Sequence, residues 1–288
     1  MTRAAGRFGR ATLLLFLAAC SRTGLRVGAA AQTSTDDATT STGGGGAGGA
    51  GGGAAGGGAG GGLVLSDLFA HGPTKLYRFD ATTEVLFTVG SFPGCSGPLI
   101  DLAIDRKGRL FGATFDGFFR IDPTDASCAP LGVGIGPTSL AFVPPGTIDP
   151  DQETLVGFAD SAYVRIDPDS GDSTTIGDLA APGFASSGDV VSVEGGGTYL
   201  TVKGNGCSDC LAEVDPVSGA LLGVVVELPY TDVFGLAHYD GKAYGFTKAG
   251  QVFEVELATG VTTPIAIANP PSGLSFNGAA SPSGPFVP

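Results

Sequence analysis

One short phrase, repeated five times at nearly even spacing, restricts the folds open to this chain more than any other feature. It reads apolar, charged, apolar, acid: "LYRFD" ending at Asp80, "FFRID" at Asp122, "YVRID" at Asp167, "LAEVD" at Asp215 and "VFEVE" at Glu256. The acids stand 42, 45, 48 and 41 residues apart. Within each phrase a charged residue (Arg78, Arg120, Arg165, Glu213, Glu254) sits between apolar neighbours, as a strand with one wetter face requires. From residue 63 onward, apolar runs of four to six residues alternate with Gly, Pro, Asp and Ser and show no sustained helical period, so the region reads as all-β. A period of 40–50 residues in such a chain is that of a four-stranded blade repeated around an axis.

The phrase is one strand of each blade, and its acid opens a turn. In "DPDSG" and "DPVSG" proline presets the first corner, the aspartate accepts from turn N–H groups, and Gly171 or Gly219 supplies the left-handed residue. Upstream of the phrase lie two more strands, such as "SLAFV" then "TLVGFA"; downstream lies a fourth, such as "STTIG". Gly112, Gly157 and Gly245 recur at one place in the second strand, where a neighbouring backbone is expected to come close. At the C-terminus a lone first-strand match, "GLSFN" at 273–277, is left over, while "LVLSDL", "LYRFD" and "VLFTVG" at the N-terminal end lack a first strand. One terminal strand beside three initial ones closes a five-bladed β-propeller over residues 63–288, with no free sheet edge at the seam.

The phrase resembles the L-Y-x-[IF]-D-x-x-[ST]-G repeats of secreted bacterial propellers, in the WD40-like and YVTN-like group. That resemblance implies a shape and no particular activity. Residues 1–19 carry Arg3, Arg7 and Arg10 before the apolar run "ATLLLFLAA", the pattern of a secretory signal and too short to span a bilayer. Leu17-Ala18-Ala19-Cys20 resembles the lipobox of bacterial lipoproteins, which implies that Cys20 is acylated and becomes the first residue of the mature chain. An ordinary signal with a coincidental cysteine is the alternative. Ser21 after the cysteine would permit export to the outer membrane, and a place in the cell envelope, periplasmic or at the cell surface, is expected.

Residues 20–62 then form a tether, Thr/Ser-rich at first and only Gly and Ala over 43–62. It cannot bury apolar surface and should be disordered, with a reach of roughly 35 Å. Without residues 1–19 the chain keeps 12 of its 15 basic residues and all 28 acidic ones, a net charge of −16. A surface of that sign with no basic cluster argues against nucleic acid.

Two stretches read as lengthened loops on the face where propellers commonly bind: "SDLFAHGPT", with Asp67 and His71, and "KGNGCSDC", with Asn205 and Asp209. A third insertion, "PPGTIDPDQE" at 144–153, is placed on the opposite face. Cys207 and Cys210, in an exported chain, read as a disulfide. Cys95 and Cys128 remain by exclusion, although flat strands would hold them ~16 Å apart, beyond disulfide reach. Either that pair does not form or the 93–98 loop folds far down. His238 aligns with Ile104, Phe142 and Phe276 and reads as a packed histidine.

Asp101, Asp105, Asp189 and Asp232 fall near innermost strands and could serve a glycan hydrolase as paired carboxylates, with Asp105 and Asp189 the two to replace by Asn in a test of it. The chain has no Trp on which sugars usually stack. The reading is therefore a lipid-anchored binding or scaffold module, expected to be monomeric, without cofactor or metal, with a protein or glycan ligand on one propeller face. A hydrolase is the alternative.

Overall fold

The computed structural model describes residues 63–133 and 137–287; the signal segment, Cys20 and the tether lie outside the described residues. Twenty strands form five antiparallel sheets of four. The first blade combines β20 (Gly278–Ala280) with β1 (Asp67–His71), β2 (Lys75–Asp80) and β3 (Val85–Ser91). The second holds β4 (Asp101–Ile104), β5 (Leu110–Ala113), β6 (Gly117–Ile121) and β7 (Cys128–Val133), and the third β8 (Ser139–Val143), β9 (Thr154–Ala159), β10 (Ala162–Ile166) and β11 (Ser173–Asp178). The fourth holds β12 (Phe184–Ser192), β13 (Thr198–Gly204), β14 (Cys207–Val214) and β15 (Leu221–Glu227), and the fifth β16 (Val233–Tyr239), β17 (Lys242–Thr247), β18 (Val252–Glu256) and β19 (Thr262–Ile265). The innermost strands β20, β4, β8, β12 and β16 pack on one another in succession and close the ring.

Five apolar clusters hold the ring, one at each joint between blades. Phe158 and Tyr163 of the third blade, for instance, pack against Val190, Leu200 and Val202 of the fourth. The recurrent acid does what the turn requires. Asp80, Asp122, Asp167 and Asp215 each accept the N–H two residues ahead, at 2.8–3.0 Å. At Gly157 the carbonyl of Ser139 stands where a Cβ would go, the expected backbone approach, whereas at Gly245 the ring of Phe253 takes that place.

Three details differ from the sequence reading. The strand that seals the first blade is Gly278–Ala280, just after "GLSFN", and it pairs with Phe69–His71. Phe276 instead enters the joint between fifth and first blades, edge-on to Tyr77 and Phe246. At the axis the sealing strand passes Asp101 and His71, and a Cβ at Gly278 would run into both, so small residues are required where an apolar pattern was sought. Secondly, "SDLFAH" is buried strand β1, not a loop; the connection after it is only 72–74. Likewise Cys207–Cys210 belongs to β14 and only 205–206 form the loop.

Thirdly, Cys95 and Cys128 are bonded, with Cα atoms 5.1 Å apart, alongside the Cys207–Cys210 bridge. The flat-strand argument fails because sheets twist by roughly 20–25° per strand, so an outer strand is turned by roughly 60–75° from the innermost one. The far end of each outer strand thereby meets the turn of the next blade: Gly90 lies against Asp125, Gly132 against Ser170, and Gly177 against Ser218. The segment after β3 follows, and Pro93 accepts the N–H of Cys128 at 2.8 Å.

Candidate functional site

The loops joining second to third strands, together with those joining blades, make one face, here the upper. The 144–153 insertion lies on the other. The tips of equivalent upper loops present four different side chains around the axis: Pro73, Phe115, Asp160 and Lys248 from the first, second, third and fifth blades. Between them opens a cavity of about 670 Å³. Its first- and second-blade side is apolar, with Pro98, Leu99 and Ile100 beside Pro73 and Phe115, and its other side carries Thr138, Ser186, Ser187, Phe234 and Asn277. Volume and lining are those of a small-molecule site. Ser186 Oγ is buried and has no hydrogen-bond partner among the described residues.

The fourth blade leaves the rim. Asn205, in the left-handed conformation at φ 48°, turns back so that its Nδ2 donates to Pro182 O at 3.2 Å. Asp209 is buried and reaches the cavity indirectly: Ser187 Oγ donates to its Oδ1 at 2.8 Å, and the Asp232 N–H donates to Oδ2 at 2.8 Å. Burial raises the Asp209 pKa. Asp209 thus positions a lining hydroxyl, while Asp232 is an exposed residue at φ 56° whose role is in the backbone turn.

Directly under the cavity floor, next to Ile100 and Gly188, lie Asp101 and Asp189, both essentially inaccessible. They serve the inner edges of the innermost strands, whose N–H groups point at the axis with no further strand to pair with. Asp189 Oδ2 accepts from Leu236 at 2.7 Å and Ala279 at 3.1 Å, and Oδ1 accepts from Val190 at 2.7 Å. Asp101 Oδ2 accepts from Leu140 at 2.6 Å. Four blades are thus tied to two carboxyls. Asp101 Oδ1 is buried without a hydrogen-bond partner among the described residues, and the Asp189 charge lies close enough to act on it. Burial, and then the Asp189 charge, push Asp101 well above the ordinary range, and burial pushes Asp189 up to about 7.

His71 borders the pair from β1. Its Nδ1 donates to Gly72 O at 3.0 Å, and its Nε2 is buried without a partner among the described residues. Burial lowers its pKa to about 4, so the ring is neutral. Asp67 lies at the other end of the same strand, buried and paired with Arg78 at 3.5 Å. Neither residue lies on a binding loop.

Asp105 and Asp189 do not meet. Asp105 follows β4 at its lower end, ~13 Å along the strand from Asp101. It forms an ion pair with Arg109 and accepts the N–H groups of Lys107 and Arg109. The pair brought together at the axis is Asp101 with Asp189; both accept backbone N–H groups, with Asp101 Oδ1 left over. His238 is half-buried on the lower face, its pKa lowered by burial, and its N–H donates to Ser281 Oγ at 2.8 Å. There the C-terminal segment crosses the axis. Ser283 Oγ donates to Glu153 at 2.6 Å, Glu194 N–H donates to Ser283 O at 2.7 Å, and Arg106 Nε donates to Pro285 O at 2.9 Å. The axis is covered below and open above.

The fold and this site define a five-bladed β-propeller with a cavity at one mouth of its axis. No family profile matches the sequence, and no curated protein is similar to it. Among solved structures, a chain of the nidogen/laminin complex overlays at TM-score 0.49 with 12% identity, over 74% of this chain and 97% of that one. A symmetrical protein from work on de novo evolutionary emergence overlays at 0.49 with 15% identity, over 75% and 98%. BamB from Moraxella catarrhalis overlays at 0.36 with 14% identity, over 69% and 58%. These likenesses carry no argument about activity; the strand pairing establishes the fold without them.

Proposed function

We propose that this protein is a lipid-anchored, extracytoplasmic propeller that binds a ligand in the upper cavity and performs no chemistry on it. The observation that carries the reading is the contrast on either side of the cavity floor. Above it, a walled space offers apolar surface with Lys248 at its rim; below it, the carboxyls that could do acid–base work are buried out of its reach and accept strand-edge N–H groups. Two disulfides suit an oxidising compartment, and the lipobox-like "LAAC" ending at Cys20 supports an anchor.

Two experiments test it. Replacing Cys20 by Ala should move the protein from the membrane to the soluble fraction; unchanged membrane association would refute the anchor. For the cavity, the full chain is screened for thermal stabilisation by a panel of small metabolites, oligosaccharides and peptides beside Phe115→Asp, a change at a side chain 60% exposed that the fold tolerates. Ligands that stabilise the parent and not the variant support the reading. Hydrolysis of any glycan that is lost in Asp189→Asn would replace it with the hydrolase.

A further inference from the structure

Resting on that reading, we propose that the cavity takes an amphiphilic monoanion: an apolar body carrying a single carboxylate. The apolar half, built by Pro73, Pro98, Leu99, Ile100 and Phe115, has no charged lining residue and suits a flat ring or short aliphatic chain. The opposite half holds the cation of the lining, Lys248. Lys248 forms no ion pair among the described residues, in a chain where acids outnumber bases 28 to 15. Its Nζ lies 5.8 Å from the centroid of the Phe234 ring, so charge and aromatic face are offered together.

Phe234, on β16, in turn abuts Gly188 of β12, so its ring and the lysine, from the connection after β17, share one wall. A carboxylate pairs with the ammonium, whereas a neutral or cationic group leaves the lysine unanswered. Asp160 sets the limit to one charge. It holds the left-handed corner of a tight turn at φ 56°, a backbone role that explains its presence, and it would repel a second anionic group at the same mouth.

The test uses three probes of one shape, 2-naphthoate, 2-naphthol and 2-naphthylmethylammonium, titrated against the full chain by probe fluorescence, which the absence of Trp leaves uncluttered. Naphthoate should bind about fivefold tighter than naphthol, the scale of one solvent-accessible ion pair. In Lys248→Met that preference should vanish while naphthol affinity stays, and melting should be unchanged because the side chain is exposed. Equal or tighter binding of naphthol or of the ammonium probe overturns the inference, as does a preference that survives Lys248→Met. If naphthol binds and is lost in Phe115→Asp without any carboxylate preference, the cavity reading stands and only this inference falls. If none of the three probes binds, both fall.

Discussion

Asp101→Asn addresses the carboxyl pair at the centre of the ring. In the native protein burial holds Asp189 up to about 7 against an ordinary 3.8, and holds Asp101 above the ordinary range as well. In the unfolded chain both ionise normally. From pH 3.8 to about 7, unfolding therefore releases a proton that the native pair keeps. The contribution is fully present below the unfolded value and is lost as pH rises to the folded one. Each unit costs about 1.36 kcal/mol, so between pH 5 and 7 the loss is on the order of 3 kcal/mol, several degrees in melting temperature for a domain of this size. An asparagine at 101 still accepts the Leu140 N–H through its amide oxygen and has no carboxyl to titrate.

Melting the parent and Asp101→Asn across pH 5–8 should show the variant gaining on the parent as pH rises, because the raised Asp101 carboxyl titrates only in the parent while burial acts on Asp189 in both. Acids held low, such as Asp122, through the Thr124 hydroxyl and N–H, and Asp215, chiefly through the Ser218 N–H, shift stability in the opposite sense. Both chains carry them, so they cancel in the comparison. A difference between parent and variant that does not change with pH would refute the raised Asp101 carboxyl.

Two further outcomes follow from the coordinates. The Cys95–Cys128 bridge spans 33 residues and joins two blades, while Cys207–Cys210 spans three within one hairpin. On loop-closure entropy, replacing both cysteines by Ser should cost about 3.7 kcal/mol for the first pair and about 1.6 kcal/mol for the second, read by denaturant melts; equal losses would contradict the assignment. Gly278→Ala should destabilise by about 1–3 kcal/mol, because its methyl meets Asp101 and His71, whereas Gly223→Ala, where a Cβ meets nothing within 4 Å, should be neutral in the same melts.

The repeat phrase was enough to read blade number, strands per blade and the role of Asp80, Asp122, Asp167 and Asp215, because all of these depend on residues close in sequence: alternation along a strand and a carboxylate two residues from the N–H it accepts. The candidate site was less legible. Asp67 and His71 look like loop residues only if the polar ends of "SDLFAH" are taken as exposed, yet both are buried, one in an ion pair and the other beside the axis. Ser186 and Lys248 carry no motif, and their place at one mouth comes from blades that meet only when the ring closes.

What the sequence by itself determined is the periodic part of this protein: five similar blades, each built from local pattern and turn chemistry. What only the tertiary structure decided is everything that depends on twist and closure. Twist carried Cys95 to Cys128, and closure brought Asp101 to Asp189 and left a cavity above them, because these contacts join residues from different blades and no periodicity within one blade encodes the angle between two.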